Sequence, residues 1–302
     1  MNGVLVVAKP PGPTSHDVVA LVRRLAASKR IGHGGTLDPF ASGVLPLFLG
    51  GATRLVEYHL GDPKTYRATV CFGATSTTDD LDGELTPSDG AAPTRDVVEP
   101  ALAALVGPQH QQPPVYSAIQ VGGRRAYKMA RGGEMPVLSP RSVTIHALDL
   151  VEWDATDATR PVAIVDVSCS AGTYVRALAR DLGERVGSGA YLCGLSRTSS
   201  GPFRLEDAHP LDQIREAAAS GGPEAIQAIL LPADTGLDAI AAVTLTAAEV
   251  DDAAMGRFIR PEGGLAGAPE SGPVRLLDPE GRIVGIGRLD GRRIAPDKIF
   301  AG

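Results

Sequence analysis

The segment from Ile31 to Leu55, IGHGGTLDPFASGVLPLFLGGATRL, constrains the chain more than any other stretch. Gly32, Gly34 and Gly35 permit backbone angles that other residues avoid. Pro39 then fixes its own φ and biases Asp38 toward an extended conformation. Behind this loop, Val44 to Leu49 is apolar enough to be buried. A lone acid on a glycine-shaped loop, anchored by a core segment, is how a carboxylate is presented to a substrate. An aspartate before proline also caps turns and short helices, and the loop by itself leaves both roles open.

The chain has 302 residues, enough for one large domain or for one domain plus a small second one. Its three cysteines, Cys71, Cys169 and Cys193, match no zinc spacing, and an odd, sparse count argues against a disulfide framework. They are expected to be buried thiols in a reducing compartment. The apolar start, Met1 to Ala8, is short for a signal peptide and lacks a basic leader, and no run reaches transmembrane length. The expected location is the cytoplasm, with no membrane contact.

The net charge of −6 speaks against a nucleic-acid partner, but its distribution does not. Residues 1–67, 113–146 and 173–204 are net basic (+4, +4 and +3), and the segments between and after them are net acidic. If the basic blocks converge, they make a positive face on an acidic body, which suits a phosphate backbone and makes binding salt-sensitive.

Periodicity supplies the elements. Val4 to Ala8 reads as a buried strand, and Lys9 to Ser15 as a turn ending in a helix N-cap signal. His16 to Ala27 is an amphipathic helix with Val18, Leu21, Val22 and Leu25 on one face. Lys64 to Phe72 alternates with period 2, placing Tyr66, Ala68, Val70 and Phe72 together. Gly73 to Gly83 is a polar loop, and Thr94 to Val106 is helical in pattern with Pro100 expected to bend or interrupt it. Gly122-Gly123 reads as a hairpin turn followed by Arg124, Arg125, Lys128 and Arg131. Val143 to Val151 and Val162 to Ser170 read as strands bridged by a polar loop containing Trp153, and Gly172-Thr173 ends a strand and starts a helix. Residues 205–244 are helix-rich. The tail contains short strands at Val274 to Leu277 and Ile283 to Leu289, after a Gly/Pro-rich stretch, Gly263 to Pro273, expected to be a mobile loop.

Several of these segments carry a resemblance. GHGGTLDPFASGVLP is similar, without a gap, to the catalytic motif of the TruB family of bacterial tRNA pseudouridine-55 synthases, usually G-H-T-G-T/A-L-D-P-L/F-A-T/S-G-V/M-L-P. KTY resembles the family's K-x-Y motif, and CSAGTYVRALARDLG resembles its C-S-x-G-T-Y-I/V-R-x-L-x-x-D-L-G motif. AYLCGLSR resembles the strand that follows. Two departures stand out. Gly34 replaces the usual threonine, and Thr77 replaces an aspartate credited with a supporting contact, with Asp79 as the neighbouring acid that could substitute.

The resemblance covers roughly residues 1–210 and implies an α+β fold. This is a pseudouridine-synthase-like mixed, mainly antiparallel sheet flanked by helices, with a small C-terminal β domain. It implies a catalytic domain over 1–242, an RNA-gripping thumb insertion at 111–136, and a PUA-like RNA-contacting domain at 243–302. It also implies isomerisation of uridine to pseudouridine at position 55 in the T stem-loop of tRNA. No cofactor, no metal and no obligate protein partner is expected, and the protein is expected to be a monomer.

In this reading Asp38 is the carboxylate that acts on the nucleotide, whether by attack at C1′, by attack at C6 or as a base. Burial raises a carboxyl pKa, and a guanidinium offsets this with two fixed donors; Arg176 is assigned that role. Tyr66 stacks on the everted uracil and receives the C5 proton. Leu195 is an apolar wall, Tyr174 holds the base edge or the carboxylate, and His33 fills the gap left by the base or meets its phosphate. Lys9 steadies the loop or meets a phosphate. A non-catalytic RNA-binding protein on the same scaffold is the competing reading, and the joint presence of Asp38, Tyr66 and Arg176 speaks against it.

Overall fold

The apolar run behind Asp38 becomes the strand Ser42–Leu49, buried in all but its first residue. In the computed structural model, which describes residues 1–265 and 268–300, this strand lies near the middle of a ten-stranded sheet. The main order across the sheet is His209–Pro210, Gly3–Lys9, Ser42–Leu49, Ala190–Ser200, Lys64–Phe72, Val162–Cys169, Arg141–Asp154 and Gly107–Gln111. Ile31–His33 pairs beside Ser42–Leu49, and Phe203–Arg204 beside Ala190–Ser200. Most pairings are antiparallel. Ser42–Leu49 and Ala190–Ser200 are parallel, and meet only through Ser196 with Ser42 and Arg197 with Gly43. This short parallel seam joins the two antiparallel halves of the sheet.

Gly43 makes the seam possible. Its φ is +107°, and a Cβ there would lie 2.2 Å from the Arg197 carbonyl oxygen. No side chain fits, and the backbone angle is one that L-residues rarely adopt.

Helices pack each half against its own apolar cluster. Ser15–Leu25 is held at its start by a capping box between Thr14 and Asp17 and buries Val18, Val19 and Val22 against Leu5, Leu45 and Leu47. Val175–Val186 buries Leu178, Ala179 and Leu182 against Val70, Phe72 and Val165 in the other half. Tyr66 and Leu195 touch both clusters, which places them over the seam.

Several details differ from the sequence expectation. The helix Arg95–Ala103 is not interrupted at Pro100: the lost hydrogen bond is outweighed by burial of Val98, Ala101 and Leu102. The strand Arg141–Asp154 takes in Trp153, whose backbone pairs with Ala163 and whose ring packs at 5.8 Å from that of Phe72. Leu211–Ala228 is broken at Gly222, where φ is +62° just before Pro223. Cys71 and Cys193 form a disulfide, which corrects the expectation of three free thiols; Cys169 is free and buried. The cause is a bulge. The register slips between Leu192 and Gly194, so Cys193 is the extra residue and lies beside Cys71 of the adjacent strand, Cα to Cα 5.9 Å.

In the 111–136 segment, two-residue strands at Gln120–Val121 and Arg124–Arg125 flank Gly122-Gly123, both at positive φ, and lead into the helix Ala126–Arg131. Toward the C-terminus, Ala242–Thr244, Ser271–Leu277, Ile283–Asp290 and Arg293–Ile299 form a separate four-stranded sheet. It is seated on the main body. Ile286 and Phe300 pack with Val4, Val44 and Phe48, Lys298 pairs with Glu57 at 2.7 Å, and the Arg54 guanidinium donates to the Ile299 carbonyl. Of the stretch Gly263 to Pro273, Ser271 onward is strand and residues 266 and 267 lie outside the described residues. Among the described residues, no helix is long and apolar enough to cross a membrane.

The seam yields a prediction. Gly43→Ala is expected to lower stability by more than about 2 kcal/mol, read as a shift of the urea midpoint, because the added Cβ collides with backbone that cannot swing away. An unchanged midpoint would contradict the described backbone.

Candidate active site

The loop from His33 to Ala41 lies over the seam and is fastened from beneath by two buried cations. Arg197, 2% exposed, donates from Nε to the Val44 carbonyl (2.7 Å), from Nη1 to that of Thr36 (3.4 Å) and from Nη2 to that of Gly35 (3.1 Å). Lys9, 1% exposed, donates from Nζ to the carbonyls of Pro10 (2.9 Å), Pro39 (3.2 Å) and Ala41 (2.6 Å). Ser15 closes the frame, accepting from the Leu37 N–H at 2.9 Å and donating to the Leu37 carbonyl at 3.0 Å. Every fastening is to backbone, of the loop and of the residues flanking it, which leaves the Asp38 side chain free to serve another group.

That group is Arg176. Its Nε lies 2.9 Å from Asp38 Oδ2, with the guanidinium 5% and the carboxylate 36% exposed. The pair is thus an internal cation beneath an acid that reaches the surface. The Nε–H is buried and not aligned on an acceptor, so a small swing of the carboxylate would complete a hydrogen bond. The other donors are engaged: Nη1 with the Thr78 carbonyl (2.9 Å) and with Asp80 Oδ2 (3.3 Å), Nη2 with the Tyr116 carbonyl (3.0 Å). Burial pushes the Asp80 carboxyl above its ordinary range, opposed by the Thr78 hydroxyl and the Arg176 charge. Arg176 therefore gathers the Asp38 loop, the 73–83 loop and the base of the 111–136 segment, one from each of three regions distant in sequence.

Tyr66 is half-buried opposite Arg197 in the sheet register. Burial raises its phenol pKa, opposed by the adjacent Arg197 charge, and the Asp38 carboxylate is near enough to add to the rise. Leu195, half-buried, shares the apolar surface of Tyr66. His33 is half-buried, its Nδ1 accepting from the Gly35 N–H (3.3 Å) and its ring edge-on to His16 at 5.6 Å. Burial, with His16 and Arg197, draws its pKa down, so it is neutral at pH 7 and suited to packing rather than to holding a phosphate. Tyr174 caps the helix that bears Arg176; its backbone is held both ways by the buried Gln111 amide, at 2.8 and 3.1 Å.

Lys9 corrects one expectation. Buried against three carbonyls, its ammonium steadies the loop and does not face a phosphate. Burial lowers its pKa to about 8. The departures at 34 and 77 also acquire physical companions. A Cβ at Gly34 would lie 3.1 Å from the Phe48 ring. Thr77 accepts from the Glu84 N–H at 3.0 Å, and the acids that reach arginines are Asp80, on Arg176, and Asp79, on Arg180.

Reading the sequence missed Arg197, Gln111 and Arg180. Arg197 had a weak signal, an arginine closing the mostly apolar run AYLCGLSR. The hydrogen bonds of Gln111 and Arg180 join segments far apart in sequence and leave no local pattern.

Residues 23–175 match the model of the TruB family pseudouridylate synthase N-terminal domain, and residues 176–238 that of the tRNA pseudouridylate synthase B C-terminal domain. The chain is 40% identical over 302 residues to a tRNA pseudouridine synthase B of Pseudomonas aeruginosa (strain UCBPP-PA14), covering 99% of this chain and 96% of that protein. It is 41% identical over 309 residues to one of Thermobifida fusca (strain YX), covering 100% and 99%. In fold it is similar to an archaeal box H/ACA sRNP Nop10–Cbf5 complex (TM-score 0.70, 24% identity, 99% of this chain and 86% of that one). It is also similar to an H/ACA RNP bound to a substrate RNA containing 2′-deoxyuridine (TM-score 0.71, 24% identity, 99% and 85%).

Lys9 generates the prediction here. Between about pH 8 and the ordinary lysine value of 10.5, the unfolded chain holds a proton that the folded one has released, so the Lys9 contribution to stability rises with pH in that window and falls away below it. The stability difference between wild type and Lys9→Met, measured by urea unfolding at pH 7 and pH 10, is expected to shift in favour of wild type by roughly 1–3 kcal/mol at the higher pH. A difference independent of pH would contradict the buried, charged Lys9.

Proposed function

The chain belongs to the TruB family of pseudouridylate synthases, and from that premise we propose that it isomerises the uridine at position 55, in the T-loop of tRNA, with Asp38 as its acting carboxylate. It is a pseudouridine synthase. The observation that carries the finer reading is the Asp38–Arg176 pair, an acid 36% exposed on a cation 5% exposed. Such a pair presents an acid at the surface while the protein supplies its counter-charge from within.

The reaction breaks the bond from N1 to C1′ and makes one from C5 to C1′. C5 loses a proton and N1 gains one, so product and substrate have the same atoms and no oxidant or cofactor is consumed. A uridine within a folded loop must be everted before C1′ can be approached. In the proposed complex the uracil stacks on Tyr66 against Leu195, an arrangement that desolvates a nearly flat ring at little cost. Asp38 then meets the nucleotide, and attack at C1′, attack at C6 and proton removal all need the same anion. Tyr66, a neutral phenol, relays the proton: it gives its own to N1 as that atom leaves C1′ and takes one from C5 once the new bond has formed, the Arg197 charge stabilising the phenolate between the two steps. His33, neutral, fills the space the base leaves, and Tyr174 holds the base edge.

Arg125, Lys128 and Arg131 are exposed on the 111–136 segment, and Arg131 lies over the Tyr127 ring at 5.8 Å. Cations interleaved with an aromatic suit backbone contact with stacking, which supports reading this segment as a thumb on the RNA stem. We assign residues 1–242 to the catalytic domain and 243–302 to an RNA-contacting domain, acting in one chain without an obligate partner, in the cytoplasm where tRNA is.

The test is pseudouridine formation on an unmodified tRNA transcript, mapped by site. Wild type is expected to convert position 55 alone. Asp38→Ala is expected to lose at least ~10³-fold in rate, and Tyr66→Phe, which keeps the ring, ~10²-fold or more with tRNA affinity little changed. Conversion elsewhere, or an active Asp38→Ala, would overturn the assignment.

A further inference from the structure

Arg180 stands one turn beyond Arg176 on the helix Val175–Val186, and takes no part in the mechanism above. Its Nη1 donates to Asp79 Oδ2 (2.8 Å) and its Nη2 to the Gln112 carbonyl (2.9 Å). Nε and Nη2 also donate to Asp181 Oδ1 (3.0 and 2.8 Å), and Glu184 lies 4.0 Å away. The two partners outside the helix belong to the segments that Arg176 holds. Arg176 takes the carbonyls of Thr78 and Tyr116; Arg180 takes Asp79, the next residue after Thr78, and Gln112, four before Tyr116.

The turn at Asp79 is gripped from two sides. Asp79 has φ +62°, uncommon for a residue with a side chain, and its carboxylate is 14% exposed. Its own carbonyl accepts from the Leu192 N–H at 3.0 Å, so the residue is pinned to the strand that carries Leu195 and Arg197. Removing Arg180 would leave a half-buried carboxylate without its nearest cation on an unfavourable backbone angle. The turn would relax, and the Thr78 carbonyl and the Asp80 carboxylate, both on Arg176, move with it. Thr77, at the place of the family's aspartate, faces the Glu84 backbone and supplies nothing to either arginine.

We propose that Arg180 and Asp79 are a positioning pair, setting the orientation of Arg176 toward Asp38 and tying the base of the 111–136 segment to it. Neither residue touches the reacting atoms. The proposal rests on the pseudouridine-synthase reading given above.

The experiment compares wild type, Arg180→Ala, Arg180→Lys, Asp79→Asn and the Asp79→Asn/Arg180→Ala double variant. The readouts are the single-turnover rate of pseudouridine formation on an unmodified tRNA transcript, tRNA affinity, and thermal midpoint. Arg180→Ala and Asp79→Asn are each expected to slow the single-turnover rate ~10- to 100-fold with affinity changed less than about threefold. The double variant is expected to be no slower than the worse single one, and Arg180→Lys to regain at least about threefold. Single-variant rates within twofold of wild type would overturn the inference, as would losses that multiply in the double variant. If Arg180→Ala fails to fold, the nearly isosteric Asp79→Asn decides alone by the same rate criterion. A wild type that makes no pseudouridine in tRNA overturns the functional reading itself, and is distinguished by the first arm.

Discussion

The guanidinium of Arg176 touches three of the segments from which the site is made, the Asp38 loop, the 73–83 loop and the base of the 111–136 segment. Its ion pair with Asp38 spans the boundary between a helix buried in one half of the sheet and a loop resting on the other. A cation at that depth is tolerable because its Nη donors meet two carbonyls and its charge is paired with two carboxylates, the four groups coming from three segments. The same contacts therefore satisfy the buried charge and aim it. A substitution that relieved the burial cost, such as an apolar residue at 176, would release three segments together.

The sheet explains why the acid can be held so firmly and still be open. Its two antiparallel halves meet along a parallel contact only two residues long, Ser196–Arg197 against Ser42–Gly43. Where strands diverge from so short a contact, backbone groups are left without ladder partners. Arg197 and Lys9 donate to the carbonyls of 35, 36, 39, 41 and 44 in that gap. Buried cations thus do for this loop what a neighbouring strand does elsewhere, while its outer side stays free.

The sequence reading reached the local elements and fell short where contacts are non-local. Alternation in Lys64 to Phe72 reported a strand with one buried face, the apolar run Val44 to Leu49 a strand buried on both, and the N-cap signal ending Lys9 to Ser15 a helix start that the structure caps at Thr14. Asp38, Tyr66 and Arg176 stood out through resemblance to a known motif set, and their side chains are gathered at the seam. Trp153 was misread because a polar surround hid its packing on Phe72, and the Cys71–Cys193 bond because a bulge inside one strand leaves no trace in cysteine spacing. For Lys9 the sequence left two roles open, steadying the loop or meeting a phosphate. Only the fold reveals that three carbonyls converge on it.

The central claim is that an everted uridine meets Asp38 while Arg176 remains beneath the acid. A crystal structure of the Asp38→Asn chain with an unmodified T stem-loop examines this most directly. The account predicts the uracil out of the loop between Tyr66 and Leu195, its C1′ within roughly 4 Å of the residue-38 side chain, and Arg176 still against that side chain. A uridine stacked inside its loop, or an everted base seated away from Tyr66 with residue 38 facing solvent, would contradict it.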